Sequence, residues 1–296
     1  MKSELKITCI VPTLNRPADI IRLAESFFTA KKNNDYYFEI VLVDNSADSN
    51  LSALFSTLDF GVPATYLKET KKGLSNARNC GINYCLLGSD YICTIDDDII
   101  VPIDFFTRLK NTLAKNKDAM IIGGRVELFN PIDLPITIKT EMDWSTFDGI
   151  NLFGYLFGCC LIINKSVFDE IGLFDINLGA GTKNGGSEDS DLIYRIWQER
   201  KKSDRQSGAI IYDPQYFVYH NHGRRELVYA NKLNANYQKG QGGFFYKHIF
   251  VNKDKYVMKL AWWELQKDLR KIVVKRTAIS KWYNRLLGAI YYRKNQ

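Results

Sequence analysis

The chain has 296 residues, 46% of them hydrophobic and 25% charged, a balance that permits a sizeable core and excludes wholesale disorder. Its net charge of +7 is uneven: residues 251–296 hold 12 Lys/Arg against 3 Asp/Glu, or +9, which leaves −2 for residues 1–250. The basicity belongs to a C-terminal segment, and no nucleic-acid motif accompanies it, which argues against a nucleic-acid partner.

Residues 7–11 and 39–43 are short β-rich runs, and residues 18–31 between them repeat apolar side chains at helical spacing (Ile20, Ile21, Leu23, Ala24, Phe27, Phe28). Strand, helix and strand in close succession predict a right-handed βαβ unit. Residues 65–67 form a third short strand candidate, 74–87 a helix, and 91–95 a strand that runs into Asp96, Asp97 and Asp98. Residues 102–114 read as a helix with Pro102 near its first turn. Residues 120–128 and 159–163 read as strands, 187–200 as a helix with a polar start, and 209–219 as a strand broken at Asp213-Pro214. The charge run at 199–202 is a solvated helix end. The first third of the chain thus has the pattern of a nucleotide-binding α/β half.

Six cysteines, at 9, 80, 85, 93, 159 and 160, show no CxxC spacing and lie mostly in apolar runs, as reduced, buried thiols of a cytosolic protein do. The opening MKSELKITCIVPT lacks the apolar core of a signal peptide. The longest apolar patch, residues 152–163, is too short to span a bilayer. A cytoplasmic protein without a membrane-spanning helix is expected.

In parallel sheets, ligands bind outside the carboxyl ends of the strands. Those ends carry Thr13 and Asn15, then Asp44 and Asn45, then Asp96–Asp98; together they suggest one site. If the acidic triplet stays extended, Asp96 and Asp98 share a face, roughly 7 Å apart along the strand. Such a pair can hold Mg²⁺ or Mn²⁺ together with substrate phosphates. The alternative is an acidic turn leading into the next helix. A second cluster, Glu188, Asp189 and Asp191 after Ser187, reads either as helix capping or as a general base presented by the glycine-rich 179–186 segment. Two of the three histidines, His220 and His222, alternate at the end of a strand pattern, and either offers a third metal ligand; His248 has no supporting context.

The order of six stretches, IVPTLNRP (10–17), IVLVDNSADS (40–49), KGLSNARNCGI (72–82), TIDDDII (94–100), IGLFDINLGAGTKNGGSEDSDLIYR (171–195) and VYHNHGRREL (218–227), resembles the family 2 glycosyltransferases. The resemblance covers about residues 5–245. It implies a GT-A fold, a Rossmann-like mixed central sheet flanked by helices. The division it suggests is a catalytic domain at 1–250 and a basic, aromatic-rich helical extension at 251–296. It implies a nucleotide-sugar donor, most commonly a UDP-sugar in the family, with Pro12, Thr13 and Asn15 at the base and ribose and Asp44 reading the base. Arg78 and Asp97 would contact the donor, Asp96 would lie nearer the ribose, and Asp98 and His220 would bind Mn²⁺ or Mg²⁺, with Asp97 leaving the register of the acidic pair open by one residue. Asp189 would be the catalytic base of an inverting hexosyl transfer; Glu188 and His222 are further candidates. Trp144, Phe153 and Tyr155 are candidates for stacking on an acceptor sugar. Spanning helices and the QxxRW motif of membrane polymer synthases are missing, so a single addition to a saccharide or lipid-linked saccharide in surface-polysaccharide assembly is the expected role.

The tail, with KLAWWELQKDLRKIVVKR and KWYNRLLGAIYYRK, suits either an amphipathic helix peripheral to an anionic membrane or an extension packed on the domain. Two other functions compete. A nucleotidyltransferase also needs carboxylates and a divalent ion, but a glycine-rich phosphate loop with its lysine is lacking. A carbohydrate- or membrane-binding module without catalysis is the third reading.

Overall fold

A computed structural model describes residues 5–30, 36–47, 51–203, 209–272 and 277–295. The helix end expected at Lys31, motif residues 48 and 49, and tail residues 273–276 lie outside them. Strands β1 (Lys6–Thr13), β2 (Tyr37–Asp44), β3 (Ala64–Lys68) and β4 (Tyr91–Ile95) pair in parallel, in the order β3-β2-β1-β4. The sheet continues through β8 (Cys160–Asn164), β6 (Ile121–Leu128), β9 (Ile210–His220) and β5 (Ile99–Ile100); the two-residue β7 (Ser145–Thr146) pairs on β9. Antiparallel β8 inserts between β4 and β6, so the sheet is mixed.

Alternation along the strands divides the core in two. Ile7, Cys9 and Val11 of β1, with Phe38, Ile40 and Leu42 of β2, face one layer; Ile10, Val41 and Val43 face the other. Helices α1 (Pro17–Thr29), the short α2 (Leu51–Phe55) and α4 (Phe105–Lys115) cover the first layer, where Phe27, Phe38, Phe105 and Phe106 meet edge to face. Each fully buried ring or aliphatic chain there contributes roughly 1.5–3 kcal/mol. The second layer is covered by α3 (Leu74–Cys85), α5 (Ser166–Ile171), α6 (Glu188–Lys202) and part of α7 (Leu227–Tyr246). With helices on both faces, β1 and β2 are apolar almost throughout. All six cysteines are unbridged, and burial pushes the Cys9, Cys93 and Cys160 thiols up.

Two expectations change. The helix after Pro102 begins at Phe105, because residues 102–104 form a turn. The Asp213-Pro214 break is a bulge within one strand. Gly124 pairs with Asp213, the next pair is Arg125 with Phe217, and residues 214–216 loop out of the ladder. Pro214, which has no N–H to donate, sits where no ladder bond is required.

Helix α7 continues into a π-turn (Lys247–Val251), followed by α8 (Lys255–Ile272) and α9 (Thr277–Lys294). Helix α9 lies directly on α7. A Cβ on Gly242 would overlap the Arg285 carbonyl, and one on Gly288 the Lys239 carbonyl, so only glycine permits this approach. Arg285 donates to Asp268 at 2.6 Å and to Gln241 at 2.9 Å, joining the last three helices. The tail therefore packs on the domain. Among the described residues no helix is long and apolar enough to cross a membrane.

Candidate active site

The carboxyl ends of β1 and β4 open onto a cavity of about 540 Å³. The acidic triplet turns there: the Ile99 N–H donates to the Asp96 carbonyl at 3.3 Å. The alternation expected of an extended triplet is therefore absent, and Asp96, Asp97 and Asp98 all line the cavity. Asp97 and Asp98 share Arg16, and Asp96 is held by Arg78. Thr13 Oγ1 donates to Asp97 at 2.8 Å. Arg16 Nη1 lies 3.1 Å from Asp97 and 2.7 Å from Asp98. Arg78, 1% exposed, spans from Asp96 to Glu188 at 2.9 Å each, packed against Gly158, where a Cβ would strike its guanidinium.

On the far side of the cavity α6 begins. Ser187 occupies its N-cap position with φ +69° and makes no side-chain cap bond, so the capping reading of this cluster fails at its central residue. Glu188 and Asp189 face the cavity. Asp189 accepts the Gly158 N–H at 3.2 Å through Oδ2 and the Ser190 N–H at 2.6 Å through Oδ1. Asp191 points away from it, into a separate buried network.

His220 enters at the end of β9. Ile99 pairs with His220, and the Asn221 N–H donates to the Asp98 carbonyl at 2.8 Å, so backbone bonds hold Asp98 and His220 together. His220 Nδ1 lies 3.2 Å from the Thr137 carbonyl and Nε2 lies 3.2 Å from Asp98 Oδ1. With the Nδ1 proton donated to Thr137, Nε2 turns its lone pair toward a carboxylate oxygen. Two acceptors then face each other, which a shared proton or a cation relieves. Among the described residues no group of three or more His, Cys, Asp or Glu side chains is arranged to hold a metal. The donor set fits an ion taking two protein ligands and completing its shell with ligand oxygens and water.

Proton affinities differ sharply around the cavity. Burial raises Asp97 to about 7, against the pull of Arg16. Burial acts on Asp98 too, but His220 and Arg16 outweigh it and hold its carboxyl well below the usual range. Burial likewise opposes the charge on His220, yet Asp98 wins and the imidazole moves up. Burial and then Asp189 raise Glu188 to about 7; Asp189 is also raised, chiefly by burial, with the Ser190 N–H and Arg78 acting against it.

Pro12, Thr13, Arg78, Asp96, Asp97, Asp98, Glu188, Asp189, His220 and Phe153 thus line one space. Asn15 is an exposed neighbour of that lining, with φ +54° and its N–H donated to Ser46. Asp44, expected to read a base, is fully buried off the lining, accepting bonds from Ser46 N–H, Tyr66 and Lys68. His222 is also off the lining; its side chain is buried beside His220, with Nδ1 accepting the Arg224 N–H. Trp144 and Tyr155 are not brought to the cavity. Trp144 donates to Asn116 on the β7 side, and Tyr155 packs on Phe147. Sequence reasoning gave no role to Arg16, although IVPTLNRP contains it, nor to Thr137, Arg224, Leu233, Tyr237 and Gln241, which also line the space.

A model of glycosyl transferase family 2 matches residues 8–172. A glucosyl-dolichyl phosphate glucuronosyltransferase of Haloferax volcanii is 26% identical over 164 residues, 52% of this chain and 50% of its own. An uncharacterised glycosyltransferase of Rickettsia prowazekii is 27% identical over 179 residues, 58% of this chain and 54% of its own. The chain spans about half the length of these relatives. Among solved structures, S. aureus TarS 1–349 in complex with UDP-GlcNAc superposes with a TM-score of 0.63 at 14% identity, over 95% of this chain and 80% of that one. GalNAc-T7 with UDP, GalNAc and Mn²⁺ gives 0.55 at 15% identity, over 81% and 48%. At these identities the likeness is one of fold, and the fold is GT-A.

Proposed function

The chain belongs to glycosyl transferase family 2, and on that premise we propose that it transfers a sugar from a nucleotide diphosphate donor, a UDP-sugar, to a saccharide or lipid-linked saccharide in surface-polysaccharide synthesis. The observation that carries this reading is the convergence of Asp98, His220 and Asp189, from three separate segments, on one cavity. The UDP-GlcNAc bound to a structure of the same fold supports the choice of donor.

Pro12, Thr13 and Asn15 stand on the base and ribose side. Asp44 supports them from behind, holding the turn at Asn45 and Ser46 through the Ser46 N–H. Arg78 keeps Asp96 at the donor and Glu188 at the helix start. Asp98 and His220 would hold Mn²⁺ or Mg²⁺, which when bound supplies Lewis-acid neutralisation of charge on the departing diphosphate. Asp189 Oδ1 accepts both the N–H and the hydroxyl of Ser190, whereas Oδ2 accepts only the Gly158 N–H and keeps a lone pair for the acceptor hydroxyl. As that hydroxyl oxygen bonds to the anomeric carbon, the bond from this carbon to the diphosphate oxygen breaks. The proton passes to Asp189, and the configuration inverts in one displacement.

The catalytic unit ends near residue 250 on this reading, and 251–296 is its extension. Lys255, Met258, Lys259, Trp262 and Leu269 lie exposed along one side of α8. This mixture of cations and apolar rings suits the surface of an anionic bilayer, and we place the protein in the cytoplasm, peripheral to the inner face of the membrane.

Thermal melting with a panel of nucleotide sugars, with and without Mn²⁺, tests the proposal. One donor should raise the melting temperature only with metal, and adding an acceptor should then release the nucleoside diphosphate. Pyrophosphate released from a nucleoside triphosphate would make it a nucleotidyltransferase. Absence of any donor response would leave a binding module.

A further inference from the structure

Asp191 lies two residues beyond Asp189 in α6, yet its carboxylate is fully buried and faces away from the cavity. Lys247 Nζ lies 2.8 Å from its Oδ1 and 2.9 Å from its Oδ2. His248 Nε2 lies 2.9 Å from Oδ1, and Arg195 Nε 2.8 Å from Oδ2. Burial works against the charge, but Lys247, Arg195 and His248 overcome it and hold the carboxyl well below its usual range. Lys247 also reaches Asp175 at 2.8 Å, and Asp175 accepts the Tyr292 hydroxyl of α9 at 2.6 Å. Arg195 donates to the carbonyls of Ile171 and Leu173 at 2.7 and 2.8 Å, on the chain leading to the glycine-rich loop beside the cavity.

Consecutive side chains on an α-helix diverge by roughly 100°. Lys247 and His248 nevertheless meet on one carboxylate, and they do so at the head of the π-turn Lys247–Val251, whose wider coil narrows that divergence. The network sits where α6 needs it. Ser187 supplies no side-chain cap, and the first two residues of the helix are adjacent acids in one cavity. The start of α6 must be fixed from elsewhere.

We propose that Lys247, His248 and Tyr292 are positioning residues: through Asp191 and Asp175 the C-terminal helices hold the first turn of α6, and with it the Asp189 carboxylate, against the Gly158 N–H. This rests on the reading of Asp189 as the base. Lys247 and His248 stand at the end of the catalytic unit, and through Tyr292 and Asp175 the C-terminal extension joins the support of the transfer site without touching the substrates.

The test measures donor affinity by calorimetry with Mn²⁺, kcat for transfer, and thermal melting, on the full chain. Lys247→Met should lower kcat about ten- to a hundredfold with donor Kd changed less than about twofold, as displacement of a reacting group does. Lys247→Arg should recover most of the rate, and Tyr292→Phe should lower kcat about threefold. A folded Lys247→Met protein with normal kcat, or one whose loss lies wholly in donor affinity, overturns the proposal. Where Lys247→Met does not fold, Tyr292→Phe decides, and an unchanged kcat overturns it. Asp189→Asn in the same assay separates the two ideas. Normal transfer by it removes the base on which this proposal rests; slow transfer by it beside normal transfer by Lys247→Met removes the anchor alone.

Discussion

Asp98 and Asp189 are shifted in opposite directions in one cavity, and the difference fits the metal-ligand and base roles proposed for them. Asp98, held ionised by His220 and Arg16, suits a ligand that must stay charged; Asp189, raised by burial, suits a group that must take a proton. Asp189→Asn should slow transfer about 10²–10⁴-fold, with donor binding kept, as measured by nucleoside diphosphate release. In the wild type the rate should climb with pH through the raised Asp189 value, because only the ionised base accepts a proton. Glu188 makes a separate prediction about stability. Its carboxyl is raised to about 7 from an ordinary 4.5, so the folded chain holds a proton that the unfolded chain has released. Stability from this group is complete below about pH 4.5 and is lost as pH rises through about 7. Melting of the ligand-free protein should therefore fall across that window, and Glu188→Gln should flatten the fall; equal slopes would assign it elsewhere. The acids were legible in the sequence because they cluster after strand and glycine signals. Arg16 was not, since one arginine beside a proline gives no hint of the carboxylates it meets 81 and 82 residues later.

Gly242 and Gly288 show at the scale of elements how close packing substitutes for hydrophobic periodicity. Gly242→Ala would set a methyl group onto the Arg285 carbonyl, backbone that cannot rotate away. It should destabilise the protein by about 1–3 kcal/mol, as overpacking does, read from denaturant midpoints. Strands β1, β2 and β4 were readable as short, continuously apolar runs that end at polar residues, and helix α1 because its buried positions recur at helical spacing. The two-residue strands β5 and β7 were not, since two residues have no period. Helix α7 escaped because its buried residues Ala230, Gly240, Gly242 and Gly243 are too small to mark an apolar stripe, and its two large buried residues, Phe244 and Phe245, are adjacent at its end. The bulge in β9 read as a break because proline removes a donor, while the partner strand that tolerates it lies 89 residues back in the chain.

The molecule as a whole carries its catalytic and its basic surfaces on one connected body, α9 resting on α7 and α7 lining the cavity through Leu233, Tyr237 and Gln241. If the exposed side of α8 meets an anionic bilayer, Lys259→Glu with Trp262→Glu should reduce co-sedimentation with phosphatidylserine vesicles severalfold, each lysine near such a surface being worth about 1 kcal/mol. Binding unchanged by this pair, or retained on uncharged vesicles, would refute the assignment.

The pairing of Ile99 with His220 has a consequence for biogenesis. A nascent chain still short of residue 220 can form the βαβ unit, but it lacks the strand that carries the imidazole. If Asp98 and His220 hold a divalent ion as proposed, affinity for it should therefore arise late in synthesis, with closure of the sheet's far edge, and not accumulate gradually. Fragments ending before β9 should be blind to manganese however well their first strands assemble.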